Sequence, residues 1–277
     1  MNCPDQKGII ASVTNFIHKK KGNILYIDQY VDRENKLFFM RLECEFVEVG
    51  FTATQFSQTF EKEIANSYSL TYELYAHDHR PKTALFVSKY DHCLYDILAR
   101  YASHELTIEI PFILSNHKDL EPIAKRFNIP FYYVPVTKET KAEATTEQLE
   151  ILAKHQVEFI VLARYMQIIP PNLIAAYQNK IINIHHSFLP AFPGAKPYHS
   201  AYERGVKIIG ATSHYVTEEL DAGPIIEQNT TQVSHLHSIQ DFISKGRDLE
   251  RIVLSKAIQL HLNRKVMVYK NKTVIFS

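Results

Sequence analysis

The sequence predicts an α/β protein, in which a small α+β module precedes a larger, mostly parallel sheet. Beyond residue 82, short apolar runs such as Thr83–Ser88, Glu158–Ala163 and Lys180–His185 alternate with amphipathic helical stretches. That pattern belongs to strands covered on both faces. Before residue 76 the pattern is instead helix, strand, strand, helix, strand. Between the two lies polar Ala76–Lys82, AHDHRPK, which contains Pro81. We place the boundary there, giving domains 1–80 and 81–277.

Each element follows from its spacing. Gly8–Lys20 sets Ile9, Ile10, Val13, Phe16 and Ile17 on one helical face. Ile24–Val31 and Leu37–Phe46 read as strands joined by the polar turn Asp32–Lys36. Phe56, Phe60 and Ile64 recur as on a helix, and Tyr68, Leu70, Tyr72 and Leu74 alternate as on a strand. In the second domain Thr83–Ser88 is a strand, and Asp91 is placed to cap a helix carrying Leu94, Ile97 and Leu98. Leu106–Leu114, Pro130–Val134, Glu158–Ala163 and Lys180–His185 read as strands, and Lys118–Asn128 as a helix. Thr145 and Gln148 suit the start of another helix as a capping box. Pro171 opens a short helix, Ile208–Val216 is a strand, Ser238–Asn263 is a long helix, and Lys265–Tyr269 with Thr273–Phe276 forms a hairpin.

Composition removes several classes of function. Hydrophobic residues are 45% and charged residues 22% of 277, enough apolar material for a core. Lys+Arg 31 against Asp+Glu 30 leaves +1, no field for nucleic acid or an anionic membrane. No apolar run approaches the ~18 residues of a membrane span, and MNCPDQKGII lacks the apolar segment of an export signal. Cys3, Cys44 and Cys93, odd in number and far apart, read as reduced thiols of a cytoplasmic protein. Only eight glycines are present, none in a G-x-G pair or before Lys-Ser/Thr. A dinucleotide turn and a Walker A loop are therefore both absent.

The segment Lys180–Tyr198, KIINIHHSFLPAFPGAKPY, carries the clearest chemistry. Strand alternation puts Asn183 and His185 on one side, ahead of a loop stiffened by Pro190, Pro193 and Pro197. An amide donor beside an imidazole suits a reaction that passes through a tetrahedral oxyanion. In Gly210–Glu227, GATSHYVTEELDAGPIIE, a Gly223-Pro224 turn would fix Asp221. A carboxylate near His185 would orient the ring or a water. Plainer readings exist: Asn183 could satisfy a backbone group and Asp221 could simply start a turn. His185 and His186 point to opposite faces, so they are no metal pair. His77-x-His79 and His235-x-His237 lack zinc-type partners, and no metal is expected.

INIHHSFLPAFPGAKPYHSAYERGVKIIGATSHYV and DAGPII, with CPDQKGIIA, FVSKYDHCLYDIL at Phe86–Leu98 and VLARYMQII at Val161–Ile169, resemble the folate-dependent formyltransferase fold. The similarity is closest to the formyltetrahydrofolate deformylase family and spans nearly the whole chain. It implies a Rossmann-like catalytic domain behind an ACT-like, ferredoxin-like module whose first strand is apparently missing, since only Met1 and Asn2 precede Cys3. It implies hydrolysis of 10-formyltetrahydrofolate to formate and tetrahydrofolate, supplying formate for purine synthesis and balancing one-carbon folates. The catalytic trio would be Asn183, His185 and Asp221. Arg164, Tyr165, Met166, Gln167, Ile168, Val216 and Gly194 would contact the folate. His92 and His186 would line the site. The folate is the substrate, with no prosthetic group. Expected partners are that folate, further copies of the chain and an amino-acid effector at the first module, with neither nucleic acid nor membrane. The related purine-pathway transferase cradles a ribonucleotide phosphate in a glycine-rich loop after its first strand. Here Ser88-Lys89-Tyr90-Asp91-His92-Cys93 has no glycine and bears a carboxylate, which leaves water as the acceptor.

Overall fold

Strand β1 (Asn2–Pro4), helix α1 (Ile9–Lys19) and strands β2 (Asn23–Asp32) and β3 (Leu37–Glu45) open the chain in the computed structural model, which describes residues 1–46, 52–191 and 197–277. Helix α2 (Ala53–Phe60) runs through a π-helical turn, Glu61–Ala65, into the short α3 (Asn66–Tyr68). The three strands form an antiparallel sheet in the order β1-β3-β2. Ile9, Val13, Phe16 and Ile17 of α1 pack there with Phe38, Met40, Phe60 and Ile64. Burying side chains of this size contributes about 1.5–3 kcal/mol each.

The first strand is not missing but cut to three residues. Asn2, Cys3 and Pro4 pair with Phe39, Phe38 and Leu37. On its other side β1 meets, among the described residues, a single bridge partner: Asn2 and Thr71 exchange backbone hydrogen bonds of 2.8 and 2.9 Å. The strand expected over Tyr68–Leu74 is thus reduced to that bridge, because so short a neighbour offers no further ladder partners. Residues Val274–Ser277 also belong to this unit, which otherwise comprises Met1–His79. Tyr26 Oη donates to the Ser277 carbonyl at 2.6 Å, and Asp28 accepts from the Ser277 amide at 3.3 Å.

The second unit, Arg80–Thr273, is built on β4 (Thr83–Val87), β5 (Ile113–Ser115), β6 (Phe131–Tyr133), β7 (Phe159–Leu162), β8 (Ile181–His185), β9 (Ile208–Tyr215) and β10 (Ile225–Gln232). Their order is β10-β9-β8-β7-β4-β5-β6. The pairs from β8 to β6 are parallel, whereas β8–β9 and β9–β10 are antiparallel. Helices α4 (His92–Ala102), α5 (Glu121–Arg126), α6 (Lys141–Lys154), α7 (Pro171–Ala176), α8 (Pro197–Arg204) and α9 (Ile239–Leu262) complete the unit. A hairpin of β11 (Val266–Tyr269) and β12 (Lys272–Ile275) follows.

Alternation along each strand feeds two cores. Leu85, Val161, Ile182 and Ile184 pack with Leu94 and Ile97 of α4 and Val253, Leu254 and Ala257 of α9. Phe86, Ile160, Leu162 and Ile181 pack with Leu152 of α6 and Leu173 of α7. Both faces being covered, the strands need apolar residues throughout. Three local expectations change. Pro111 has no N–H for a ladder, so the strand expected over 106–114 begins only at Ile113. Helix α6 starts at Lys141, four residues before Thr145, whose hydroxyl donates back to the Lys141 carbonyl at 2.7 Å instead of capping. Asp91 holds the cap position of α4 without a side-chain cap bond.

Candidate active site

The carboxyl end of β8 and the antiparallel return of β9 build the site. Their register sets Asn183 opposite His214 and His185 opposite Thr212. Thr212 Oγ1 donates to the Ser187 carbonyl at 2.9 Å and accepts from the Leu189 amide at 3.0 Å. One hydroxyl therefore fixes the backbone that leaves His185.

Asp221 reaches this pair from the loop after β9. Its φ is +56°, a left-handed conformation that favours Gly, Asn and Asp. The loop folds hard against β9: Pro224 O accepts from the Tyr215 amide at 2.9 Å. A Cβ on Gly223 would lie 1.8 Å from the Tyr215 carbonyl oxygen. Asn271, in the hairpin turn, donates to the Ala222 carbonyl at 2.8 Å. So held, Asp221 Oδ2 lies 3.2 Å from His185 Nδ1, and Oδ1 lies 3.8 Å from His214 Nε2. The hydrogen bond to His185, with the nearby His214 ring adding to it, holds the Asp221 carboxyl well below the usual carboxylate range, against the opposing effect of burial. Gly223→Ala should displace this loop and cost about 1–3 kcal/mol, the usual penalty for overpacking. Thermal unfolding measures that loss, and activity should fall with it.

His185 is buried, and its second nitrogen, Nε2, has no protein partner. With Nδ1 bound to an ionised carboxylate, Nε2 is the atom offered to a substrate. Asn183 Nδ2 lies 3.3 Å from His214 Nε2. The three side chains named from the sequence are thus brought together, and His214 joins them. His214 escaped sequence reasoning because its signal is the antiparallel register of β8 on β9, which spacing along the chain does not reveal.

The other expected residues that the structure describes lie in the loop after β7, at the end of β9 and around Glu250. Arg164, at φ +63° just past β7, begins the loop 164–168. The Tyr165 phenol, pushed up to about 12 by burial, accepts from Gln148 Nε2 at 3.0 Å. The Met166 amide donates to Ser88 Oγ at 3.0 Å. Tyr165, Gln167 and Ile168 line a narrow crevice, while the Met166 and Ile168 side chains are 45% and 59% exposed. Val216 continues from β9, its amide donating to Ile181 O at 2.9 Å. Gly194 lies outside the described residues.

His92 and His186 belong to a buried polar cluster centred on Glu250 of α9. His92 Nε2 lies 2.8 Å from Glu250 Oε2, Arg164 Nη1 lies 3.3 Å from that same oxygen, and Tyr198 Oη donates to Oε1 at 2.7 Å. The His186 ring stands 5.9 Å from the Tyr198 ring and 5.3 Å from the His185 ring. Burial pushes the Glu250 carboxyl up, but His92, Arg164 and Tyr198 outweigh it and leave the group below its ordinary value. His92 also borders a cavity of about 380 Å³ with Arg247 and Arg251, and this cavity does not include the trio. His92, Cys93 and Glu250 offer ligand atoms within 4.8 Å of one another. Arg164 already balances the Glu250 charge, and burial raises the Cys93 thiol well above its usual range, so this donor set suits an ion pair better than a cation.

An amide, an imidazole and a carboxylate thus converge at the carboxyl end of β8 in an α/β sheet. Residues 81–258 match the family described as formyl transferase. The formyltetrahydrofolate deformylase of Synechocystis sp. is 48% identical over 277 residues, covering 100% of this chain and 97% of the relative. That of Bacillus subtilis is 43% identical, covering 100% and 92%. The solved structure of a formyltetrahydrofolate deformylase from Pseudomonas syringae pv. tomato superposes with a TM-score of 0.97 at 44% identity, covering 100% of this chain and 92% of that one. The chain belongs to the formyltetrahydrofolate deformylase family.

Proposed function

We infer that the protein hydrolyses 10-formyltetrahydrofolate to formate and tetrahydrofolate. The observation that carries this reading is the convergence of Asn183, His185 and Asp221, with His185 Nε2 buried and without a protein partner. A formyl group bound to N10 places its oxygen between the Asn183 amide and His185. Water adds to the formyl carbon, and the carbonyl electrons move to oxygen. Asn183 N–H and the His185 ring stabilise that oxyanion. The ionised Asp221 accepts the Nδ1 proton of His185 in a hydrogen bond and favours the charged ring in the transition state, in which Nε2–H faces the developing oxyanion. The Asp221 carboxylate also orients the attacking water. Collapse breaks the C–N bond, one proton of the water passes to N10, the other goes to solvent, and formate leaves. No prosthetic group is used.

The folate contacts come from residues 164–168, Val216 and Gly194, with the exposed Met166 and Ile168 side chains supporting an apolar ligand face there. The first domain serves assembly and amino-acid sensing. Three free thiols and the lack, among the described residues, of a helix long and apolar enough to cross a membrane support a cytoplasmic setting. The test is to incubate the protein with 10-formyltetrahydrofolate and follow formate, with and without an amine acceptor such as glycinamide ribonucleotide. Formate released equally in both arms supports hydrolysis. Turnover only with the acceptor would make the protein a transferase, and no turnover in either arm would make it a binding protein.

A further inference from the structure

We propose that His214 is a positioning residue for this reaction: its Nε2 accepts one amide N–H of Asn183 and so directs the other N–H at the formyl oxygen. The inference rests on the proposed role of Asn183. It begins with a carbonyl. His214 Nδ1 lies 2.9 Å from the Tyr215 carbonyl oxygen. A carbonyl only accepts, so Nδ1 carries the proton, and in the neutral ring Nε2 then holds a lone pair. Asn183 Nδ2, 3.3 Å away, is the group that faces that lone pair. An amide nitrogen donates, which fixes which end of the Asn183 amide turns toward β9.

The consequence lies in the amide's second half. An Asn side chain has two nearly isosteric orientations, N–H₂ or oxygen leading, and packing alone does not choose between them. With an acceptor behind it, only the orientation that keeps nitrogen on the β9 side is hydrogen-bonded, and its second hydrogen remains available. Without that acceptor the amide is free to turn its carbonyl oxygen toward the site. An oxygen dipole would then meet the developing oxyanion, and stabilisation becomes repulsion. The setting is rigid enough for this to matter. His214 is 2% exposed, its residue pairs directly with Asn183 across the two strands, and Ser213 Oγ donates to the Asn183 main-chain carbonyl at 3.0 Å. Asp221 Oδ1, at 3.8 Å from Nε2, is beyond hydrogen-bond reach, so the Asn183 amide is the nearer claim on that nitrogen.

Two substitutions separate the two ring nitrogens. His214→Asn keeps a polar group near the Nδ1 position, able to donate to Tyr215 O, and loses the acceptor facing Asn183. His214→Gln extends to the Nε2 position and restores an acceptor. We expect His214→Asn to lower kcat about 10–100-fold, the scale of a small misplacement of a reacting group, with KM within about twofold. His214→Gln should recover most of that loss. In an Asn183→Ala background, His214→Asn should change kcat by no more than about twofold, because its effect runs through the missing amide. Thermal unfolding of each variant accompanies the kinetics. Equal losses in the Asn and Gln variants, wild-type kcat in His214→Asn, or a full additional loss in the Asn183→Ala background would each overturn the proposal while leaving the role of Asn183 intact. Wild-type kcat in Asn183→Ala alone would overturn the reading of Asn183 and this inference together.

Discussion

Asp221→Asn should lower formate release by roughly 10²–10⁴-fold, the range for loss of a positioned acid–base group. The substitution removes the charge and little else. Asn, like Asp, tolerates the left-handed backbone of residue 221 (φ +56°), so the loop pinned by Gly223 and Asn271 should keep its course. What changes is His185. Its Nδ1 proton is held by an ionised oxygen 3.2 Å away, and a neutral amide there neither favours the charged ring nor enforces one tautomer. KM should move little. The same carboxylate makes a stability prediction with a definite sign. Its folded pKa is depressed, so its contribution is complete above the unfolded value of about 4 and disappears as pH falls toward the folded value. Urea unfolding of wild type and Asp221→Asn should therefore show a gap at neutral pH that narrows below about pH 4. A gap of constant size, or one that widens in acid, would show that the ion pair does not contribute as described.

Asn183→Ala should reduce kcat about 10²–10³-fold, the effect of removing one oxyanion donor. Residue 183 lies near the carboxyl end of β8, between the buried Ile182 and Ile184. Losing the amide opens space on the site side and leaves those core contacts in place, so the unfolding midpoint should change by no more than a few degrees. Asn183→Asp should be at least as damaging, since it sets a second negative charge where the oxyanion forms. Single-turnover formate release separates this chemical defect from weaker binding. A variant with an intact rate constant and a raised KM would move Asn183 from catalysis to substrate recognition.

How legible the site was depends on the distance over which each residue was specified. Asn183 and His185 are two apart on one strand, so alternation alone places them together. Asp221 precedes a Gly-Pro turn, a local feature with a local meaning. His214 depends on β9 running antiparallel to β8, and nothing in either segment fixes that direction. Glu250 was hidden for a different reason. A carboxylate amid the charges of a long helix looks solvated until Arg164, His92 and Tyr198 arrive from three other segments to surround it. The Thr145–Gln148 pattern misled because it is a real capping signature that lies inside a helix begun by Lys141. The main architecture was readable where apolar runs were long. It was less so at β1, where three residues of backbone pairing carry no side-chain period.

The smaller unit is closed by residues far downstream, Val274–Ser277. Tyr26 and Asp28 of β2 find Ser277 roughly 250 positions downstream, a sequence separation that slows closure of any such contact. On the ribosome, the first 79 residues emerge early yet wait for the whole sheet bearing Asn183, His185 and Asp221 to be synthesised before these bonds can form. Nascent chains arrested shortly before residue 274 should thus expose β2 to limited proteolysis, a vulnerability that synthesis through residue 277 removes.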